Sequence, residues 1–100
     1  NLAYSRLLVG RLAPAQEAAE HALALAEHAD VRPEIPAYAR LVLARILSER
    51  GRPADEIRTL TDVAVAQLGD RAATTERKIL GELVQRHGWD DLEPATHAPK

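Results

Sequence analysis

The chain has 100 residues, enough for one small domain, with a formal charge of −2 and no cysteine. Without a basic surplus to neutralise phosphates, direct nucleic-acid contact by this segment is not expected, and without thiols there is neither a disulfide frame nor a thiolate metal site. No apolar run approaches the roughly 18 residues that span a bilayer, and the N-terminus has no signal-peptide pattern, so the expectation is a cytoplasmic protein without membrane contact.

Alanine and leucine dominate, phenylalanine and methionine are absent, and Tyr4, Tyr38 and Trp89 are the only aromatic residues. Such a composition suits closely approaching helices better than a roomy cavity, and no cofactor is expected. Arginine outnumbers lysine eleven to two, a bias that fits a GC-rich genome rather than a binding function.

In chain order, Leu2, Ala3, Leu7 and Leu8 recur at helical spacing between Asn1 and Val9, and Gly10 is placed to end that helix. Asn1 enters the pattern with no capping residues before it, so part of a first hairpin is expected upstream. Pro14 then opens a second helix, with Gln16 and Glu17 near the positive end of its dipole and Ala15, Ala18, Ala19, Ala22, Leu23 and Ala26 along one face. Glu27 to Pro36 contains two prolines and reads as a loop. The third helix is expected to begin at Pro36. Ala39, Leu43, Ala44 and Leu47 form one apolar face and Leu41, Val42 and Ile46 a second, so it should be packed on two sides and be the most buried helix of the chain.

Gly51 ends that helix. After Pro53, Asp55 and Glu56 come Ile57, Leu60, Ala64 and Leu68, stepping by three and four. Gly69 closes the fourth helix, and Asp70 is the expected N-cap of a fifth, which carries Ala73, Leu80, Leu83 and Val84 and an i,i+4 pair of Glu82 with Arg86. Gly88 stops this helix, and Trp89 is expected to fold back on Val84. The domain is thus expected over residues 1–92, followed by a tail over residues 93–100, EPATHAPK, with nothing to bury.

The turn glycines Gly10, Gly51 and Gly88 are 41 and 37 residues apart. That period predicts a repeated helix-loop-helix unit: an all-α antiparallel helix-hairpin array of about five helices, each hairpin burying its apolar face against its neighbours. The spacing resembles the tetratricopeptide repeat (TPR). The likeness is carried by Asn1, Leu2, Ala3, Gly10, Leu12, Ala15, Ala22, Leu23 and Leu25 in a first unit, Leu43, Ala44, Gly51 and Leu60 in a second, and Leu80, Gly81 and Gly88 in a third. Glu56 replaces the small residue that the family places early in its second helix, and the third unit lacks a clear second helix.

The resemblance implies a function as a class: such repeats hold a peptide or protein in a concave face lined by the first helix of each hairpin. Here that face would comprise Asn1, Tyr4 and Leu8, then Tyr38, Leu41, Arg45 and Glu49, then Lys78, Glu82, Gln85 and Arg86. Asn1 matches an asparagine of the repeats that clamp peptide carboxylates, but the accompanying lysines and arginine are missing. Alanine- and arginine-rich repeats of this kind also form the C-terminal part of bacterial transcriptional regulators. The expected role is a protein-protein interaction or self-association module of a larger bacterial regulatory protein; the alternative is a small-molecule effector-sensing domain of a transcriptional regulator.

No catalytic signature accompanies this pattern, and an enzyme is not expected. Ser5 and Ser48 are the only serines, neither sits in a Gly-x-Ser-x-Gly elbow, and all five glycines are isolated. Glu17, Glu20, His21, Glu27, His28 and Asp30 cluster in sequence, but Glu17 and His21 are four apart and no HExxH motif occurs, so a solvated helix face is expected and no metal site.

Overall fold

A computed structural model describes residues 12–28 and 32–92. All of the regular structure among these is helical: α1 (Leu12–His28), α2 (Glu34–Glu49), α3 (Ala54–Leu68) and α4 (Thr74–His87), followed by a single 3₁₀ turn over residues 90–92. The expected helix from Asn1 to Val9, its terminating Gly10 and the tail over residues 93–100 lie outside the described residues.

α2 is the centre. Ten of its sixteen residues are buried, against three to five in each of the other helices, and it packs against α1, α3 and α4. Both stripes expected from the sequence are buried, with Leu41, Val42, Ala44 and Ile46 at its most enclosed positions. Polar pairs give the relative directions. Gln16 bonds Arg50 and Glu27 bonds Arg40, so α1 runs against α2; Arg40 bonds Gln67 and Glu34 pairs with Arg71, so α3 runs against α2 as well.

The start of α2 differs from the expectation. Pro33 takes the N-cap position with φ −57° and ψ −24°, and the helix begins at Glu34, two residues before Pro36. The amides of a first turn have no intrahelical acceptor, so Pro36 forfeits little there and its fixed φ already suits a helix. The first full helical bond runs from the Ala37 amide to the Pro33 carbonyl at 3.1 Å.

α4 also begins later than expected, because Asp70 is not its cap. Residues 69–73 form a connection in which Arg71 bends back to donate to the carbonyls of Gln67 at 2.7 Å and Leu68 at 3.3 Å, satisfying the C-terminus of α3. Ala73 is the N-cap and is exposed, not part of the core. Having no acceptor of its own, it gets half of a capping box: the Glu76 carboxylate accepts the Ala73 amide at 2.5 Å. In α3, Thr61 lies fully buried among the apolar positions and donates its hydroxyl to the Ile57 carbonyl at 2.9 Å, so its own polar atom is not stranded.

Gly88 has φ +70° and ψ +33°, the left-handed C-terminal residue, and the amides of Gly88 and Trp89 both donate to the Val84 carbonyl, at 2.8 and 3.1 Å. A Cβ at Gly88 would meet nothing within 4 Å, so the requirement for glycine is conformational alone. Gly88→Ala is expected to cost about 1 kcal/mol, the penalty of a left-handed L-residue, measured by urea denaturation.

Along α1 the buried line is Ala15, Ala19 and Ala26, while Ala18, Ala22 and Leu23 are half-buried at its margin. Ala19, only 2% exposed and part of the core around α2, has little room for added bulk. Ala19→Leu is expected to destabilise by about 1 to 3 kcal/mol through overpacking, and His21→Leu, on the exposed side, by less than about 0.5 kcal/mol. Denaturant midpoints of the two variants check this: equal losses would mean that α1 is rotated.

Candidate functional site

The surface shared by α2 and α4 gathers four of the residues expected to line a binding face. On α2, Arg45 and Glu49 are one turn apart and paired with each other. On α4, Glu82 and Arg86 have the same spacing with the signs reversed. Arg45 Nε lies 3.4 Å from Glu82 Oε1, and Arg86 Nη1 bonds Glu49 Oε1. Both cross-helix pairs join residues 37 apart, so α2 and α4 run in the same direction, at the spacing of Gly51 and Gly88. The i,i+4 pair of Glu82 with Arg86 is thus replaced: each charge turns across to α2. Opposite charges on a facing helix, held by packing beneath them, compete successfully with a neighbour on the same solvated turn.

These side chains are 19 to 46% exposed, so each pair contributes modestly, about 0.2 to 1 kcal/mol. The Glu49 carboxyl is held below its ordinary value by the hydrogen bond from Arg45 first, opposed by burial second, with the charges of Arg45 and Arg86 and the Arg86 hydrogen bond adding to the lowering. The cluster sums to zero charge.

The other expected contact residues divide. Lys78 and Gln85 are exposed on α4. Tyr38 is half-buried and packs against the core. Leu41 is 0% exposed and belongs to the core; in a helix packed on two sides, residues chosen by spacing alone include inward ones. Asn1, Tyr4 and Leu8 lie outside the described residues.

A second constellation, at the C-terminal end of α4, has no counterpart in the sequence analysis beyond Trp89. Buried Ser48 of α2 shares a 2.9 Å hydrogen bond with His87 Nε2. The His87 ring stacks on Trp89, centroids 4.6 Å apart and planes 16° from parallel. Arg58 of α3 sits 5.2 Å from the centroid of the Trp89 ring and pairs with Asp62 and Asp91. The backbone of Trp89 does fold back on Val84, while its ring is partnered by His87 and Arg58. Ser48 and His87 are 39 residues apart in different helices, so no periodicity could have joined them.

Of the acidic and histidine cluster on α1, Glu17, Glu20, His21 and His28 are exposed and Glu27 is engaged by Arg40 at 2.6 Å; Asp30 lies outside the described residues. Among the described residues no group of three or more histidine, aspartate or glutamate side chains is placed to hold a metal ion.

The Glu49–Arg86 pair should couple α2 to α4 measurably. In a double-mutant cycle of Glu49→Gln and Arg86→Gln, the coupling energy is expected at about 0.2 to 1 kcal/mol in low salt, shrinking in high salt as exposed charges are screened; zero coupling at low salt would leave the pair without a role in register. No family model, curated protein or solved structure matches the chain.

Proposed function

We propose that this chain is an array of TPR-like helix hairpins that serves as a protein-protein interaction or self-association module, taking a peptide or protein partner on the face formed by α2 and α4, within a larger bacterial regulatory protein. The observation that carries the reading is the 37-residue register between these two parallel helices, flanked by the antiparallel α1 and α3. Parallel first helices in successive hairpins are the geometry by which a repeat builds one continuous surface. On that surface Lys78, Gln85 and the half-exposed Arg86 would supply hydrogen-bond donors to a peptide.

Three large apolar residues elsewhere favour assembly: Leu25, Ile35 and Val63 are 59, 49 and 40% exposed. Leu25 is one of the residues that carry the repeat resemblance, and in a repeat its side chain would meet a neighbouring unit. Sedimentation at high micromolar concentration is expected to show a concentration-dependent oligomer; a clean monomer would remove self-association from the proposal. For the partner face, an immobilised peptide library is expected to yield binders lost on the double substitution Lys78→Glu with Gln85→Glu, both solvent-facing and so changing stability by less than about 0.5 kcal/mol. Binders unaffected by the pair would place recognition elsewhere, and a rise of several degrees in melting temperature with one metabolite would favour an effector-sensing domain instead.

A further inference from the structure

The group of side chains at the end of α4 joins three helices through one imidazole. His87 is half-buried, bonded through Nε2 to Ser48 of α2 and stacked on Trp89. Trp89 in turn lies under Arg58 of α3, and its position fixes the 90–92 turn, whose Leu92 amide bonds the Trp89 carbonyl at 3.0 Å. We infer that His87 is a pH-sensitive latch: protonation of its imidazole releases Trp89 and the 90–92 turn from α3 while the four helices stay folded.

The argument is electrostatic and rests on who surrounds the ring. From its own helix His87 has the Arg86 cation beside it. From α2 it meets the neutral Ser48 hydroxyl, and the carboxylate next to it in sequence, Glu49, is already shared by Arg45 and Arg86. From α3 comes Arg58, placed over the Trp89 ring. From the terminal turn, Asp91 is engaged by Arg58, which also holds Asp62. Glu49, Asp62 and Asp91 are therefore each spoken for by an arginine, and the remaining carboxylate of the turn, Asp90, is exposed to solvent.

A proton on His87 would add a second cation to an indole that already carries Arg58, and a third positive charge to the group that includes Arg86. One ring quadrupole attracts either cation, but two cations sharing it repel each other. Partial burial further disfavours the charged imidazole. The His87 pKa is lowered from 6.5, by burial first and by the Arg86 cation second. For a group whose folded pKa is depressed, the native arrangement is favoured above the unfolded value and loses that advantage as pH falls through the folded one. The window thus lies just below neutrality. The part most easily given up is the single turn beyond α4, because the helices have the core to hold them.

Trp89 is the chain's only tryptophan, so its emission reports on this site alone. Titrating the chain from about pH 8 to about pH 5 is expected to shift that emission to the red with a midpoint below 6.5, while helical circular dichroism stays constant, and His87→Gln is expected to abolish the transition. A flat emission, a midpoint at or above 6.5, an unchanged transition in His87→Gln, or helix lost in step with the emission would each overturn the latch. Should His87→Gln fail to fold, proton resonances of His87 and the Trp89 indole in the unaltered chain decide the matter. A shared midpoint below 6.5 supports the inference, and an indole that does not follow the imidazole refutes it.

Discussion

The enclosure of α2 is the constraint on which the remaining structure depends. A sixteen-residue helix with ten buried positions cannot exist in water on its own, so α1, α3 and α4 are obliged to cover it from different sides. Burying a leucine or isoleucine side chain is worth about 1.5 to 3 kcal/mol, several times an exposed ion pair, and α2 supplies Leu41, Leu43, Ile46 and Leu47 to the core. α1 contributes mainly alanines in return. Their small side chains gain little by transfer, but they let two backbones approach closely enough for the larger residues of α2 to be surrounded without voids.

Arginine holds the covering helices in register, which gives its excess over lysine a structural meaning beside the genomic one. Arg40 reaches both ways from α2, donating to Glu27 of α1 at 2.6 Å and to Gln67 of α3 at 2.8 Å. Arg58 spans Asp62 and both carboxylate oxygens of Asp91, and Arg71 serves Glu34 while closing the end of α3. A lysine ammonium offers one point charge and could not fork between two helices in this way. The apolar interior therefore sets how tightly the helices pack, and the guanidinium forks select among the sliding positions that an alanine-rich surface would tolerate.

That division also explains what was legible in the sequence. The two apolar stripes of α2 and the positive-φ glycines at 51, 69 and 88 were readable because each depends on the chain's own period or on one residue's conformational freedom. The start of α4 was not, since Asp70 looks like a cap until Arg71 is seen to need the connection for the carbonyls of α3. Nor was the partner of Glu82, which local spacing assigns to Arg86 and the fold assigns to Arg45. Leu41 failed as a surface residue for a related reason: spacing locates a face, but only the neighbouring helices determine whether that face meets water. The α2–α4 face was legible at four positions because they flank the buried stripe, and the Ser48, His87 and Trp89 group was invisible because it assembles from the ends of helices.

The charged cluster constrains any partner that uses this face. A ligand that takes Arg45, Glu49 or Arg86 must first break a pair, leaving one charge without its counter-ion, so most of what it gains is offset. Lys78 and Gln85, on the exposed side of α4, carry less of that cost, and in the proposed role specificity on this face would fall to α4. In the proposed role the cluster itself would act upstream of recognition. By fixing α4 parallel to α2 it orients the helix that presents those side chains, and through Arg86, which borders His87, it ties that orientation to the charge state at the end of the same helix.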